Sequence, residues 1–89
     1  MQKVYLYIYY IIIGNLRNIC LSNRAFAHIK MENYGLAIID ADEIIKIDPT
    51  FIKAYYRKGS AFMLLGKFDE AKKEFTRVLI YYIIIRQIN

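Results

Sequence analysis

A single cysteine, Cys20, excludes any disulfide within the chain and any zinc site built on cysteines. Small secreted domains usually depend on such staples, so the expected setting is intracellular, cytoplasmic or nuclear, with Cys20 a small core residue. Histidine also occurs once, at His28, and tryptophan is absent. An enzyme needs convergent acid, base or metal-binding groups. One histidine cannot supply them, and it reads as a partly buried packing residue. The carboxylates Asp40, Asp42 and Glu43, and further on Asp69, Glu70 and Glu74, have spacings that suit exposed helix faces. No catalytic residue, metal site or cofactor is therefore expected. Apolar runs are short. Val4–Ile13 and Val78–Ile85 both fall below the roughly 18 residues of a membrane span, so none is expected. The first run lacks the small-residue cleavage site of a secretory signal.

Within 89 residues there is room for one small domain. Thirteen basic against 8 acidic residues give a net charge of +5, which favours an acidic partner. The basic residues are spread out, with no dense run and no glycine-rich aromatic RNA signature, so nucleic acid is not expected. Both ends are rich in Ile and Tyr, which A/T-rich codons encode. That bias is expected of noncoding sequence read through in a truncated or mis-spliced gene. A transcript carrying both ends in frame would make them coding.

Between these ends the sequence repeats at an offset of 34 residues. Leu21 falls on Tyr55, Ala25 on Gly59, Ala27 on Ala61, His28 on Phe62, Tyr34 on Phe68, Ala37 on Ala71 and Ile44 on Val78. Size and polarity class match more than identity. The period is that of tetratricopeptide repeats, each a pair of helices. It predicts helices over Asn18–Met31 and Tyr34–Ile47, a turn at Glu32-Asn33, and a break at Asp48-Pro49, since a residue before proline avoids the helical region. Asp48 or Thr50 is the expected cap of the next helix. The second unit is expected over Phe51–Leu65, with a left-handed turn at Gly66, and from Phe68 to about Tyr82. Small residues at 25, 37, 59 and 71 let helices approach closely, and Tyr34 and Phe68 are expected between the paired helices. The chain thus divides into an atypical segment 1–14, helical or disordered, a repeat domain 15–82 (units 18–49 and 50–82) and a tail 83–89. The expected fold is all-α, a short right-handed α-solenoid; the plainer alternative is a generic pair of helical hairpins.

A solenoid of this kind binds on its concave face. Residues i, i+3, i+4 and i+7 share one helix face. On the later unit this groups Lys53, Tyr56, Arg57, Ser60 and Leu64; on the earlier one, Ile19, Ser22, Asn23, Phe26 and Lys30. Asn23 and Arg57 are repeat equivalents. With Lys30 and Lys53 they form a set of donors without a carboxylate, flanked by Phe26 and Tyr56, with Ser60 leaving room. Arginine can hold a carboxylate through two parallel hydrogen bonds, lysine acts as a point charge and asparagine adds directional donors. Spacing alone leaves two readings open, a seat for an acidic ligand or a solvated basic face.

The stretches SNRAFAHIKMENYGLAIIDADEIIKID and FIKAYYRKGSAFMLLGKFDEA resemble the tetratricopeptide domains of co-chaperones, in particular those of the serine/threonine protein phosphatase five type. The likeness spans about residues 15–79 and corresponds to the second and third of three repeats. It implies binding of the Glu-Glu-Val-Asp C-terminal tail of the ninety- and seventy-kilodalton heat-shock chaperones. Asn23, Lys53 and Arg57 match positions of the family's carboxylate clamp, and Lys30 a further basic position. The first repeat's lysine and asparagine have no counterpart in MQKVYLYIYYIIIGN, so weaker binding and marginal stability are expected. The likeness further implies either contact with a phosphatase domain in cis or a scaffold role in another co-chaperone such as an immunophilin. The chain itself is expected to be a binding module without catalysis.

Overall fold

The computed structural model describes residues 2–88. Four helices follow one another: α1 (Gln2–Lys30), α2 (Tyr34–Ile47), α3 (Ile52–Leu64) and α4 (Phe68–Ile88). No strand occurs among the described residues, so the chain is all-α as expected. Each helix packs on the next, and α1 also touches α3. This is the arrangement of stacked helical hairpins, in which the first helices of successive units lie side by side.

The inner boundaries keep the 34-residue offset. α1 ends at Lys30 and α3 at Leu64; α2 starts at Tyr34 and α4 at Phe68. The turns that join them are also alike. The Lys67 amide donates to the Phe62 carbonyl at 2.9 Å and the Gly66 amide to Met63 at 3.0 Å. At the equivalent place, the Asn33 amide donates to His28 at 2.7 Å and Glu32 to Ile29 at 3.0 Å. Both are Schellman terminations, which satisfy the last carbonyls of a helix through one left-handed residue. In the second unit that residue is Gly66, φ +78°; in the first it is Glu32, φ +64°. A side chain is disfavoured there by roughly 1–2 kcal/mol.

The core is thin because it is made of small residues. Ala25, Ala37 and Ala61 form one buried cluster, against which Ile29, Tyr34 and Ile38 pack. Ala41, Ile44 and Ala54 form a second, flanked by Leu21, Ile45 and Phe51. Gly59 is the closest approach: a Cβ on it would lie 2.7 Å from Phe75 Cε1. Tyr34 thus packs on the core as expected. Phe68 does not; it is 64% exposed, and Phe75, two turns further along α4, meets Gly59 instead.

Four further expectations are corrected. Cys20 is exposed, because it lies on the flank of α1 that faces no other helix. Asp40 is buried, held by an arginine from α1. Phe51, with no side-chain bond, stands at the α3 cap position, because Asp48 and Thr50 are engaged with each other: the Thr50 hydroxyl and amide donate to Asp48 Oδ1 at 2.6 and 3.2 Å. Finally, α1 does not start near Asn18 but runs unbroken through Gly14 and Asn15. It is consequently long and apolar enough to cross a membrane, by length and composition, which counting uninterrupted apolar residues had excluded.

The matched turns give a direct test. Glu32→Gly is expected to raise the unfolding free energy by about 0.5–1 kcal/mol, the relief of a left-handed side chain less the entropy of glycine. Gly66→Ala should lower it by about 1 kcal/mol. Urea melts followed by helical circular dichroism check both.

Candidate peptide-binding face

The later unit positions its cations through the short α3. Lys53, Tyr56, Arg57 and Ser60 lie along one side of it, while Ala54, Tyr55, Gly59 and Ala61 are buried on the other. The Tyr55 hydroxyl donates to the Pro49 carbonyl at 2.6 Å and so fixes the rotation of α3 against the preceding turn. On α1, Ala25 is buried and Asn23, Phe26 and Lys30 are exposed. Ser22, expected among them, is 1% exposed and belongs to the packed side, its hydroxyl without a partner among the described residues.

The two helices bring their exposed residues together at Phe26. The Arg57 guanidinium carbon lies 4.4 Å from the Phe26 ring centre and 5.8 Å from that of Tyr56. Lys30 Nζ lies 5.2 Å from the same Phe26 ring. Such stacking leaves a guanidinium's in-plane N–H groups free, since the ring attracts it through its face. Arg57 Nε is buried and has no hydrogen-bond partner among the described residues. Lys53, Tyr56 and Arg57 also line a hollow of about 320 Å³ with Ile52, Val78 and Tyr82. Asn23 lies one turn before Phe26, on the same side of α1. Ser60 lies one turn beyond Arg57.

Neighbouring cations are used differently. Lys58, next to Arg57 in sequence, is 2.7 Å from Asp42 Oδ1 on α2 and 3.9 Å from Glu74 Oε1 on α4. Arg24, next to Asn23, donates from Nε and Nη2 to the two oxygens of Asp40 at 2.8 and 2.7 Å. That hydrogen bond first, and the carboxylate charge second, hold the Arg24 pKa above its ordinary value. His28 Nε2 lies 3.7 Å from Asp40 Oδ2. Arg24 and Lys58 are repeat equivalents, as are Asp40 and Glu74; Arg24 ties the two helices of the first unit, whereas Lys58 ties α3 chiefly to Asp42 of the first unit and only at 3.9 Å to Glu74 of its own. The offset carried this signal: both pairs are legible once the sequence is shifted onto itself. Lys30, Lys53 and Arg57, by contrast, have no acid within ion-pair reach among the described residues. Among those residues no cluster of three or more His, Cys, Asp or Glu side chains is placed to hold a metal ion.

The tetratricopeptide repeat family model matches residues 52–79, that is, α3 and the first half of α4. Residues 52–79 are a tetratricopeptide repeat. Residues 18–47 repeat its helices, its Schellman turn and its ion pair at the family's period. Relatives share the region. Serine/threonine-protein phosphatase T of Trypanosoma brucei brucei is 46% identical over 57 residues, 64% of this chain and 12% of that protein. Serine/threonine-protein phosphatase 5 of Homo sapiens is 40% identical over 57 residues, 64% of this chain and 11% of that protein. The Hsp70/Hsp90 co-chaperone cns1 of Schizosaccharomyces pombe is 41% identical over 54 residues, 61% of this chain and 15% of that protein. The chain therefore spans a small fraction of the relatives it matches. Its tetratricopeptide region is a protein-interaction module related to those of co-chaperones and phosphatases.

The paired acids and bases predict an order of stabilities. Arg24→Ala leaves the Asp40 carboxylate buried without its main partner, so it should lower the melting temperature more than the double variant Arg24→Ala/Asp40→Ala, which removes both groups. Thermal melts of the three chains give the order. Peptide binding at Arg57 should be unchanged in each folded variant.

Proposed function

We propose that this face binds the acidic C-terminal tail, ending in Glu-Glu-Val-Asp, of ninety- and seventy-kilodalton heat-shock chaperones. The observation that carries the reading is Arg57: stacked against Phe26 and Tyr56, with no carboxylate within ion-pair reach among the described residues. A guanidinium without an acid of its own keeps its terminal N–H groups open to one. An acidic tail supplies the acceptors. Arg57 takes a carboxylate through its free N–H edge, Lys53 and Lys30 add charge from α3 and α1, and Asn23 donates from the turn before Phe26. Phe26, Tyr56 and the hollow beside Lys53 offer apolar walls to the side chains between the acids. One relative bears the printed description Hsp70/Hsp90 co-chaperone, which agrees with this ligand class.

A second reading, favoured by the phosphatase relatives, is that the module belongs to the regulatory part of a serine/threonine phosphatase and also contacts a phosphatase domain in cis. A full-length transcript decides between that and a scaffold of another co-chaperone type.

A Met-Glu-Glu-Val-Asp peptide is expected to bind, and its C-terminal amide to bind much less. A hydrogen bond to a charged group contributes about 1.5–3 kcal/mol, so Arg57→Ala should weaken binding roughly tenfold or more. Lys53→Glu should weaken it further than Lys53→Ala while leaving helicity unchanged, since Lys53 is exposed. Added salt should reduce affinity, because the face is open to solvent. Isothermal titration measures all four; equal affinity for acid and amide would sink the proposal.

A further inference from the structure

The 34-residue symmetry holds at the inner helix ends and fails at the outer ones. α3 begins at Ile52, whose equivalent is Asn18, yet α1 begins at Gln2. α2 ends at Ile47, whose equivalent is Tyr81, yet α4 continues to Ile88. Asn18, 3.5 Å from Asp48, and Arg17, 3.6 Å from Glu43, mark the level at which α1 leaves the bundle. Ile19 on α1 and Tyr81 and Tyr82 on α4 line one hollow with the α2–α3 turn at Thr50–Lys53. Both overhanging ends therefore leave the bundle at the same end, past the same turn, and among the described residues no Cα of α1 comes within 8 Å of a Cα of α4.

The α1 prong is apolar on every side over Val4–Ile13, and the α4 prong over Tyr82–Ile85, before Arg86 and Gln87 at its tip. From Val4 to Ile13 each residue is 45–72% exposed, and Tyr82–Ile85 with Ile88 are 38–75% exposed. Ten residues make nearly three turns of helix, so no direction around α1 is polar. A helix apolar all round is buried on all sides, in a large core or in lipid. A protein partner, or a second copy of this chain, covers a stripe of each separated prong; fluid lipid covers the whole circumference of both. Neither prong carries an acid, and Lys3 and Arg86 stand at the prong tips, so prongs lying along the leaflet boundary keep both cations level with anionic headgroups. Their tyrosines suit the boundary between headgroups and chains. Crossing the bilayer is a different matter: it would draw in the rest of α1, and Asn18, Ser22 and Ala25 there are buried against the bundle.

We propose that the two Ile/Tyr-rich helix ends dock this end of the bundle onto one leaflet of a lipid bilayer bearing anionic headgroups. Vesicle flotation of the whole chain tests it, using phosphatidylcholine alone and phosphatidylcholine with phosphatidylserine. The chain should float with the mixed vesicles and less with the neutral ones. Ile8→Asp/Ile12→Asp on α1 and, separately, Ile83→Asp/Ile84→Asp on α4 should each reduce flotation roughly tenfold or more. Lys3→Glu/Arg86→Glu should reduce only the phosphatidylserine-dependent part. Helicity by circular dichroism should be kept in all three, because these residues lie outside the packed bundle. Absence of flotation, or flotation unaffected by both aspartate pairs, overturns the proposal. So does a concentration-dependent dimer, seen by light scattering, that the aspartate pairs abolish in a chain that does not float; that result would make a second copy the occupant.

Discussion

Everything in this bundle depends on how closely its helices approach. Alanines at 25, 37, 41, 54, 61 and 71 are fully buried, and among the described residues Ile44 is the only large aliphatic side chain as deeply buried. Gly59 admits the Phe75 ring where a methyl group would collide with it. Small contact residues shorten the distance between axes and leave the larger side chains at the margins. Phe26 and Tyr56 are therefore available to flank Arg57 on the open face rather than being consumed in the core. The same economy limits stability, since alanine burial removes little apolar surface from water. A small domain with so slight a core relies on its turns and ion pairs to define one arrangement.

The ion pairs show how neighbouring charges separate into two roles. Arg24 reaches to Asp40 within its own hairpin and Lys58 chiefly to Asp42 of the preceding one, so the first pair ties a hairpin and the second ties the two hairpins together. Asn23 and Arg57, one residue earlier, are rotated by about 100° and look away from those partners. A single residue of helix rotation thus decides whether a cation is neutralised within the fold or left for a ligand. Like charges at Lys53 and Arg57, mildly repulsive on a bare helix, become reasonable when both serve an acidic tail.

Much of the fold was legible in the sequence because its signals are local or periodic. Gly66 marks a left-handed termination, Pro49 a break between units, and the 34-residue offset the pairing of small residues. What was not legible required knowing which side of a helix has a neighbour. Tyr34, the repeat equivalent of Phe68, packs on a cluster completed by Ala61 from α3 of the next unit; Phe68 has no such helix beside it among the described residues, so its ring stays in solvent while Phe75 meets Gly59. Asp40 looks like one more surface acid until Arg24 is seen opposite it. Cys20, small and apolar, had no local feature to say that its flank of α1 is bare. Clustering at the candidate face was foreseen for Phe26, Lys30, Lys53, Tyr56 and Arg57; the orphaned Arg57 Nε was not, because it follows from ring stacking.

The outer ends expose a conflict between local preference and context. Tyrosine and isoleucine favour strands, as β-branched and aromatic residues generally do. Yet Val4–Ile13 is helical, continuing a helix already nucleated by the packed stretch from Asn18 onward, where extension needs only one more hydrogen bond per residue. The continuity has a geometric consequence. Because α1 carries both a prong and Phe26 with Lys30, any surface that holds the prong also fixes the direction of the ligand-facing side. Lys53, at the start of α3 beside the α2–α3 turn, is then the cation of that face nearest the docked end, and Lys30 the farthest. An acidic tail lying along the face would run from the headgroups outward, and anionic lipid would compete with it first at Lys53.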